Sequence, residues 1–219
     1  MSYFEVRQNS LTTLGDGATP PIPMVRMGIP VLLNKWDYFA LAGRMFTASQ
    51  VTIGTAVTGG TADAGGIVLT EPSWRFQVPT GTTVFPHRLN ISFAAAAGTI
   101  NEAALVSCTS TYTSGGTAIV TPLNIRQDTP SATALTVLSG TTTPIVEGAL
   151  TNVRIHWQWS MPLAFAAAKG EETINQIWDD LRPIVGPCNI LLFTGGSTAP
   201  TFYATFEWAE VPTASVKAG

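Results

Sequence analysis

Residues 151–161 read Thr-Asn-Val-Arg-Ile-His-Trp-Gln-Trp-Ser-Met, and this stretch limits the fold more than any other. Val153, Ile155, Trp157, Trp159 and Met161 share one parity, while Asn152, Arg154, His156, Gln158 and Ser160 share the other. A two-residue period is that of an extended strand with one dry and one wet face, because successive side chains leave a strand on opposite sides. Burying five such apolar side chains is worth about 1.5–3 kcal/mol each, an upper bound because the unfolded chain already hides part of that area. The stretch predicts a core sheet organised around residues 151–161.

The rest of the chain supplies partners for that strand. Further strands are predicted at 51–57, 67–69, 74–78, 89–97, 103–113, 117–125, 134–138, 189–194 and 201–211, with helix left as an alternative for the Ala94 to Ala97 run. Gly, Pro, Ser and Asp clusters punctuate them at 58–66, 114–116, 128–130, 139–140 and 195–197. Strands that follow one another without intervening helices form an antiparallel sandwich rather than a parallel α/β sheet. All-β folds often use 200 or more residues as one unit, so residues 34–212 read as a single domain. Ahead of it, Gly15, Gly17, Pro20, Pro21, Pro23 and Pro30 forbid a regular helix or central strand, leaving 1–33 as an extended arm, loose or laid along a neighbour. Residues 213–219 form a tail.

Two short helices are predicted. At 34–43, Asn34 caps, Asp37 stands three residues on, Trp36, Phe39 and Ala40 share a face, and Gly43 closes the turn. At 171–182, Ile174, Ile177, Trp178 and Leu181 follow a helical period, Glu171 and Glu172 suit the positive end of the dipole, and Pro183 is a stop.

Charge sets the class of partner. Only 11% of residues are charged, against about 25% in typical soluble proteins, and Thr, Ser, Gly and Ala replace them. Such a weakly self-repelling exterior suits subunits that cover one another, although a secreted Thr-rich β protein has the same composition. A net charge of -3 and eleven scattered Lys and Arg give no footprint for nucleic acid. No apolar run approaches a membrane span, and Met1 to Arg7 shows no basic region followed by an apolar one, so neither a membrane partner nor a cleaved secretion signal is expected. Cys108 and Cys188 lie in apolar, strand-like contexts. Two buried thiols are the plainer reading, with a disulfide left to an oxidising compartment.

Chemistry is thinly provided for. The two histidines are His87, after Pro86 at an expected turn, and His156, on the wet face of the central strand. The sequence contains no nucleophile elbow, no HExxH and no CxxC. Glu207 and Glu210 would make a glycosidase-like pair with Glu147 or Glu102 only if the fold brought them together. Five of the six Trp share parity or a helical stripe with other apolar residues and read as core, while Trp36 has no clear inward partner. No catalytic, cofactor-binding or metal residue is assigned, and no enzymatic activity is expected.

Lys35, Trp36, Ala40, Gly43, Phe46, Ala48, Ser49, Gln50 and Gly54-Thr55-Ala56 form a segment that resembles small virion structural proteins of bacteriophages. The ending Phe206-Glu207-Trp208-Ala209-Glu210-Val211-Pro212 is similar to the aromatic and acidic close of the same group. The likeness covers about a quarter of the chain, at both ends; the Pro-rich start and the 171–182 helix depart from the pattern. It implies a jelly-roll sandwich that assembles as a capsid or capsid-decoration subunit in the virion, made in the host cytoplasm, with copies of itself and other virion proteins as partners. About eight antiparallel strands fit that plan. A carbohydrate-binding module or receptor-binding head, with exposed Trp, and a glycan-degrading enzyme, with two carboxylates in one cleft, are the alternatives.

Overall fold

The computed structural model describes residues 34–49, 56–58, 67–95, 101–118, 122–126, 132–140, 143–161, 172–196 and 200–216. The expected arm at 1–33 and the loop at 59–66 lie outside them. Helix α1 (Lys35–Leu41) precedes strands β1 (Met45–Ser49), β2 (Val57–Thr58), β3 (Trp74–Val78), β4 (Thr82–Ala95) and β5 (Asn101–Thr109). Next come β6 (Tyr112–Ser114), β7 (Thr117–Ala118), β8 (Leu123–Asn124), β9 (Thr136–Ser139), β10 (Val146–Glu147) and β11 (Thr151–Met161). Then follow β12 (Glu172–Ile177), β13 (Ile184–Val185), β14 (Cys188–Gly196), β15 (Thr201–Pro212) and a 3-10 turn at Thr213–Ser215.

The protein is all-β and antiparallel, with two sheets facing across one core. The front sheet runs β12-β4-β15-β1-β8, with β13 also on β4 and β2 also on β15; the back sheet runs β11-β5-β14-β3-β9-β7, and β6 pairs β10 separately. Numbering the eight longest strands (β1, β3, β4, β5, β11, β12, β14, β15) from one to eight in chain order, the front sheet reads 6-3-8-1 and the back sheet 5-4-7-2.

Alternation explains why these strands face as they do. Phe202, Ala204, Phe206 and Trp208 of β15, Leu89, Ile91 and Phe93 of β4, and Phe46 and Ala48 of β1 point inward from the front sheet. They meet Trp74, Phe76 and Val78 of β3, Ala103 and Leu105 of β5, and Ile190 and Leu192 of β14. Phe76 crosses the interior, its ring edge-on to Phe206 at 5.2 Å and to Trp208 at 5.6 Å, a geometry the ring quadrupoles favour.

Strand β11 forms as expected, but at the edge of the back sheet and without a single dry face. Ile155 pairs with Val106 and Trp157 with Leu105, two steps on β11 against one on β5, so His156 is an extra residue. A bulge of this kind reverses side-chain parity. Trp157 and Trp159 therefore pack on the core, whereas Val153 and Ile155 point outward, 45% and 62% exposed. A second irregularity lies between Thr151 and Arg154, where Asn152 takes a φ of 53°, a left-handed conformation Asn tolerates.

The expected helix at 171–182 is also corrected. Glu172–Ile177 is strand β12, paired with β4 from Glu172 opposite Phe93 to Ile177 opposite Arg88. Ile174 packs on the core and Trp178 is buried, but Ile177 and Leu181, the other half of the supposed stripe, are exposed. The long-range ladder and the β-branched Thr173 and Ile174 prevail over a coincidental helical spacing. Residues 67–69 form no strand, 103–113 is broken at Ser110 into β5 and β6, and β7 and β8, which fall within 117–125, belong to different sheets.

Helix α1 stands where the sequence placed it. The Oδ1 of Asn34 accepts from the backbone N–H of Trp36 at 2.8 Å and of Asp37 at 2.9 Å, a cap worth about 1 kcal/mol, and Gly43 turns the chain at φ 64°. The helix lies on the outer face of the front sheet, where Trp36 and Phe39 bury Met45, Phe85, Ala209 and Val211. Trp36 thus has the inward partner its sequence context did not reveal.

Candidate functional site

Chemistry on a β-sandwich requires polar side chains that converge, so each candidate is located in turn. The carboxylates do not pair with one another. Glu147, on β10, is fully buried and lies 2.5 Å from Arg75 Nε, off the N–H axis, while Ser110 donates its hydroxyl to the other oxygen at 2.8 Å. Arg75 leaves β3 on the outer face of the back sheet, where the Tyr112 ring covers its guanidinium at 5.0 Å. Asn189 donates to Ser110 from β14. Together these residues fasten the β6–β10 pair onto the back sheet.

Glu210 serves a second, separate network. It accepts from Trp208 Nε1 at 2.7 Å and from the Ala134 backbone N–H at 2.8 Å, and it also meets the Thr133 hydroxyl. This arrangement holds the chain entering β9 against β15. Glu207 sits on β15 opposite Arg88, and Glu102 on β5 opposite Gly195 and Ser160. The four carboxylates are thus divided among different elements and partners rather than gathered into an acid-base pair.

His87 lies within β4, not at a turn. Trp208 pairs with Pro86 and Glu207 with Arg88, which makes His87 the extra residue of a bulge, the setting in which a sheet tolerates a proline. Its ring lies against that of Trp36, centroids 4.3 Å apart and planes tilted by 36°, and Glu207 stands 4.0 Å from Nε2. Burial, with Arg88 and Lys35 adding and Asp179 opposing, holds the imidazole pKa below its usual value, so the folded state favours the neutral ring. Its contribution to stability is complete above about pH 6.5, the unfolded value, and declines as pH falls toward the depressed folded value. We expect the C2 proton of His87 to titrate below pH 6.5 by NMR and His87→Phe to flatten the loss of stability between pH 7 and 5; a midpoint above 6.5 would contradict this.

His156 is half-buried on the β11 bulge, and its Nε2 lies 2.8 Å from the Ser107 hydroxyl. That distance suits a nucleophile and its base, yet burial, with Arg182 and Arg154 adding, holds the imidazole pKa below its usual value. A general base must become an imidazolium, which these cations oppose, and Ser107 is itself buried. The contact pairs a half-buried imidazole with a buried hydroxyl.

The cysteines are free. Cys108 pairs directly with Asn189, so Cys188, the residue before it, leaves the opposite face of the sheet, an orientation that disfavours a bridge. Burial raises both thiols, Cys188 to about 11 with Cys108 contributing, which keeps them protonated and poorly nucleophilic. All six Trp are buried or half-buried. Among the described residues, no group of three His, Cys, Asp or Glu stands as a metal-binding set, and no helix is long and apolar enough to cross a membrane.

Arg75 and Ser107 are the residues that sequence reasoning passed over. Their partners Glu147 and His156 lie 72 and 49 positions away, and no local pattern joins them. In comparisons with known proteins, no family model, no curated protein and no solved structure matches the chain.

Proposed function

We propose that the chain is a jelly-roll subunit that assembles, with copies of itself, into the shell of a bacteriophage virion or onto its surface. The observation that carries this reading is the strand order, 6-3-8-1 in one sheet and 5-4-7-2 in the other. Two interleaved Greek keys of eight strands produce that order, and the fold recurs in capsid proteins as well as in lectins and cupins. The low charge supports assembly over a freely diffusing monomer, since little like-charge repulsion resists close contact. Polar groups committed to structural networks leave the sandwich to act through its surface, and its partners are further copies and other virion proteins.

Light scattering on the purified protein across a concentration series tests the proposal. The expected result is a discrete, symmetric oligomer or closed particle visible by electron microscopy. A chain that stays at 23.1 kDa at every concentration and ionic strength would refute self-assembly.

A further inference from the structure

A free sheet edge is a row of unpaired backbone donors and acceptors that another strand can join, and proteins blunt such edges with bulges, charge or brevity. β11, the edge of the back sheet, carries two irregularities, the left-handed Asn152 and the charge of Arg154. β7 and β8, at the far ends of the two sheets, are two residues each. β12 has none of these protections. It pairs with β4 in unbroken register from Glu172 to Ile177, and among the described residues no strand lies along its other side. The Trp178 N–H donates to the His87 carbonyl, which fixes the phase of this ladder. Glu172, Ile174 and Gln176 therefore turn their backbone groups toward β4, and Thr173, Asn175 and Ile177 turn theirs outward. The side chains of those three are exposed. Residues 173–177 read Thr-Ile-Asn-Gln-Ile, with β-branched Thr173, Ile174 and Ile177 and neither a charge nor a proline.

We propose that β12 is the strand by which two copies of the chain join, edge to edge and antiparallel, so that the front sheet runs on from one subunit into the next. This contact rests on the self-assembly proposed above and supplies its surface. An antiparallel edge is its own complement, and the outward phase selects one register. A two-fold axis at Asn175 sets Asn175 against its own copy and Thr173 against Ile177 of the partner subunit, each pair exchanging both N–H···O bonds. Any other two-fold register leaves one of the three outward residues opposite chain that lies outside β12. No like charges meet within the run, since residues 173–177 carry none. Ile177, 46% exposed in the single chain, then packs across the strands on Thr173 of the partner subunit. Its carbonyl accepts from Gln176 Nε2 at 2.9 Å, an exposed bond that the incoming N–H replaces. So short a ladder falls below the roughly 1,200–2,000 Å² of a standing dimer interface, so the contact is concentration-dependent by itself and holds firmly only within a larger assembly.

Introduced cysteines read the register. Asn175→Cys brings the Cα atoms of two copies to about 5.5 Å, within disulfide range, and oxidised glutathione should convert the assembled protein to a covalent dimer. Thr173→Cys stands about 14 Å from its own copy and should cross-link at least about tenfold more slowly. The unaltered chain, with Cys108 buried and Cys188 half-buried, supplies the background. Asn175→Pro removes an outward N–H and leaves the β4 ladder whole, and it should abolish the contact. Asn175→Ala loses the same side-chain bond to Arg88 Nε, 3.1 Å long, but keeps the N–H, and should assemble as the unaltered chain does. If the proline unfolds the chain, the two cysteine variants still decide. Equal cross-linking at Thr173 and Asn175, or a folded Asn175→Pro that assembles like the unaltered chain, would overturn the β12 contact and leave self-assembly standing. An unaltered chain that stays monomeric at every concentration would overturn both.

Discussion

Phe76→Ala is expected to destabilise the fold by about 3–5 kcal/mol, the range for emptying a fully buried phenylalanine site. Phe76 has no exposed surface and is the back-sheet ring that meets both Phe206 and Trp208 of the front sheet. Its removal takes away transfer free energy, two edge-on aromatic contacts and the dispersion energy of the atoms that would line the void. The surrounding strands are tied by ladders on both sides, β3 between β14 and β9, and β15 between β4 and β1, so they cannot collapse far into the space. Urea unfolding followed by tryptophan fluorescence gives the number directly; a loss under 1 kcal/mol would mean that the two sheets are not held apart and together by this ring.

Breaking the buried ion pair is the second large effect. Glu147→Ala leaves the Arg75 guanidinium uncompensated where its side chain is only 5% exposed, a change expected to cost about 3–5 kcal/mol. The Ser110 hydrogen bond to the carboxylate is lost as well, so the β6–β10 pair should loosen first. Arg75→Met combined with Glu147→Leu removes both charges and should recover most of the loss, because the desolvation of each ion disappears with the pair. A double-mutant cycle measures the coupling, and hydrogen exchange at Tyr112 and Val146 reports the local opening. Additive single and double changes would show that the two charges do not act on each other.

What could be read from the sequence follows from where each strand sits. β3, the 89–93 stretch of β4 and the 202–208 stretch of β15 alternate cleanly because one face of each meets the shared core, and their parities were legible at Trp74, Leu89 and Phe206. At β11 the alternation was genuine in the letters and false in space, because a single inserted residue, His156, inverts direction midway and no composition marks a bulge. At β12 a helical spacing was present, and only the ladder to Phe93 and Ile91, some 80 residues earlier, selects the strand. Asn34 and Gly43 announce α1 because capping is local chemistry, satisfied within three residues of the cap. The candidate polar groups were invisible for the opposite reason. Arg75 reads as an ordinary wet-face residue until Glu147 and Tyr112 close over it. His87 and Trp36 each lacked a visible partner in the sequence and turn out to be each other's.

The strand order also governs when the protein can come into being. β15 lies between β4 and β1, and its neighbours can close around it only once residues 201–212 have left the ribosome. Of the seven links between the eight long strands, only that from β5 to β11 joins ladder neighbours, so most ladders wait for strands distant in sequence, and the front sheet closes last. Until β15 is in place, the flanks of β4 and β1 remain open to pairing with another chain.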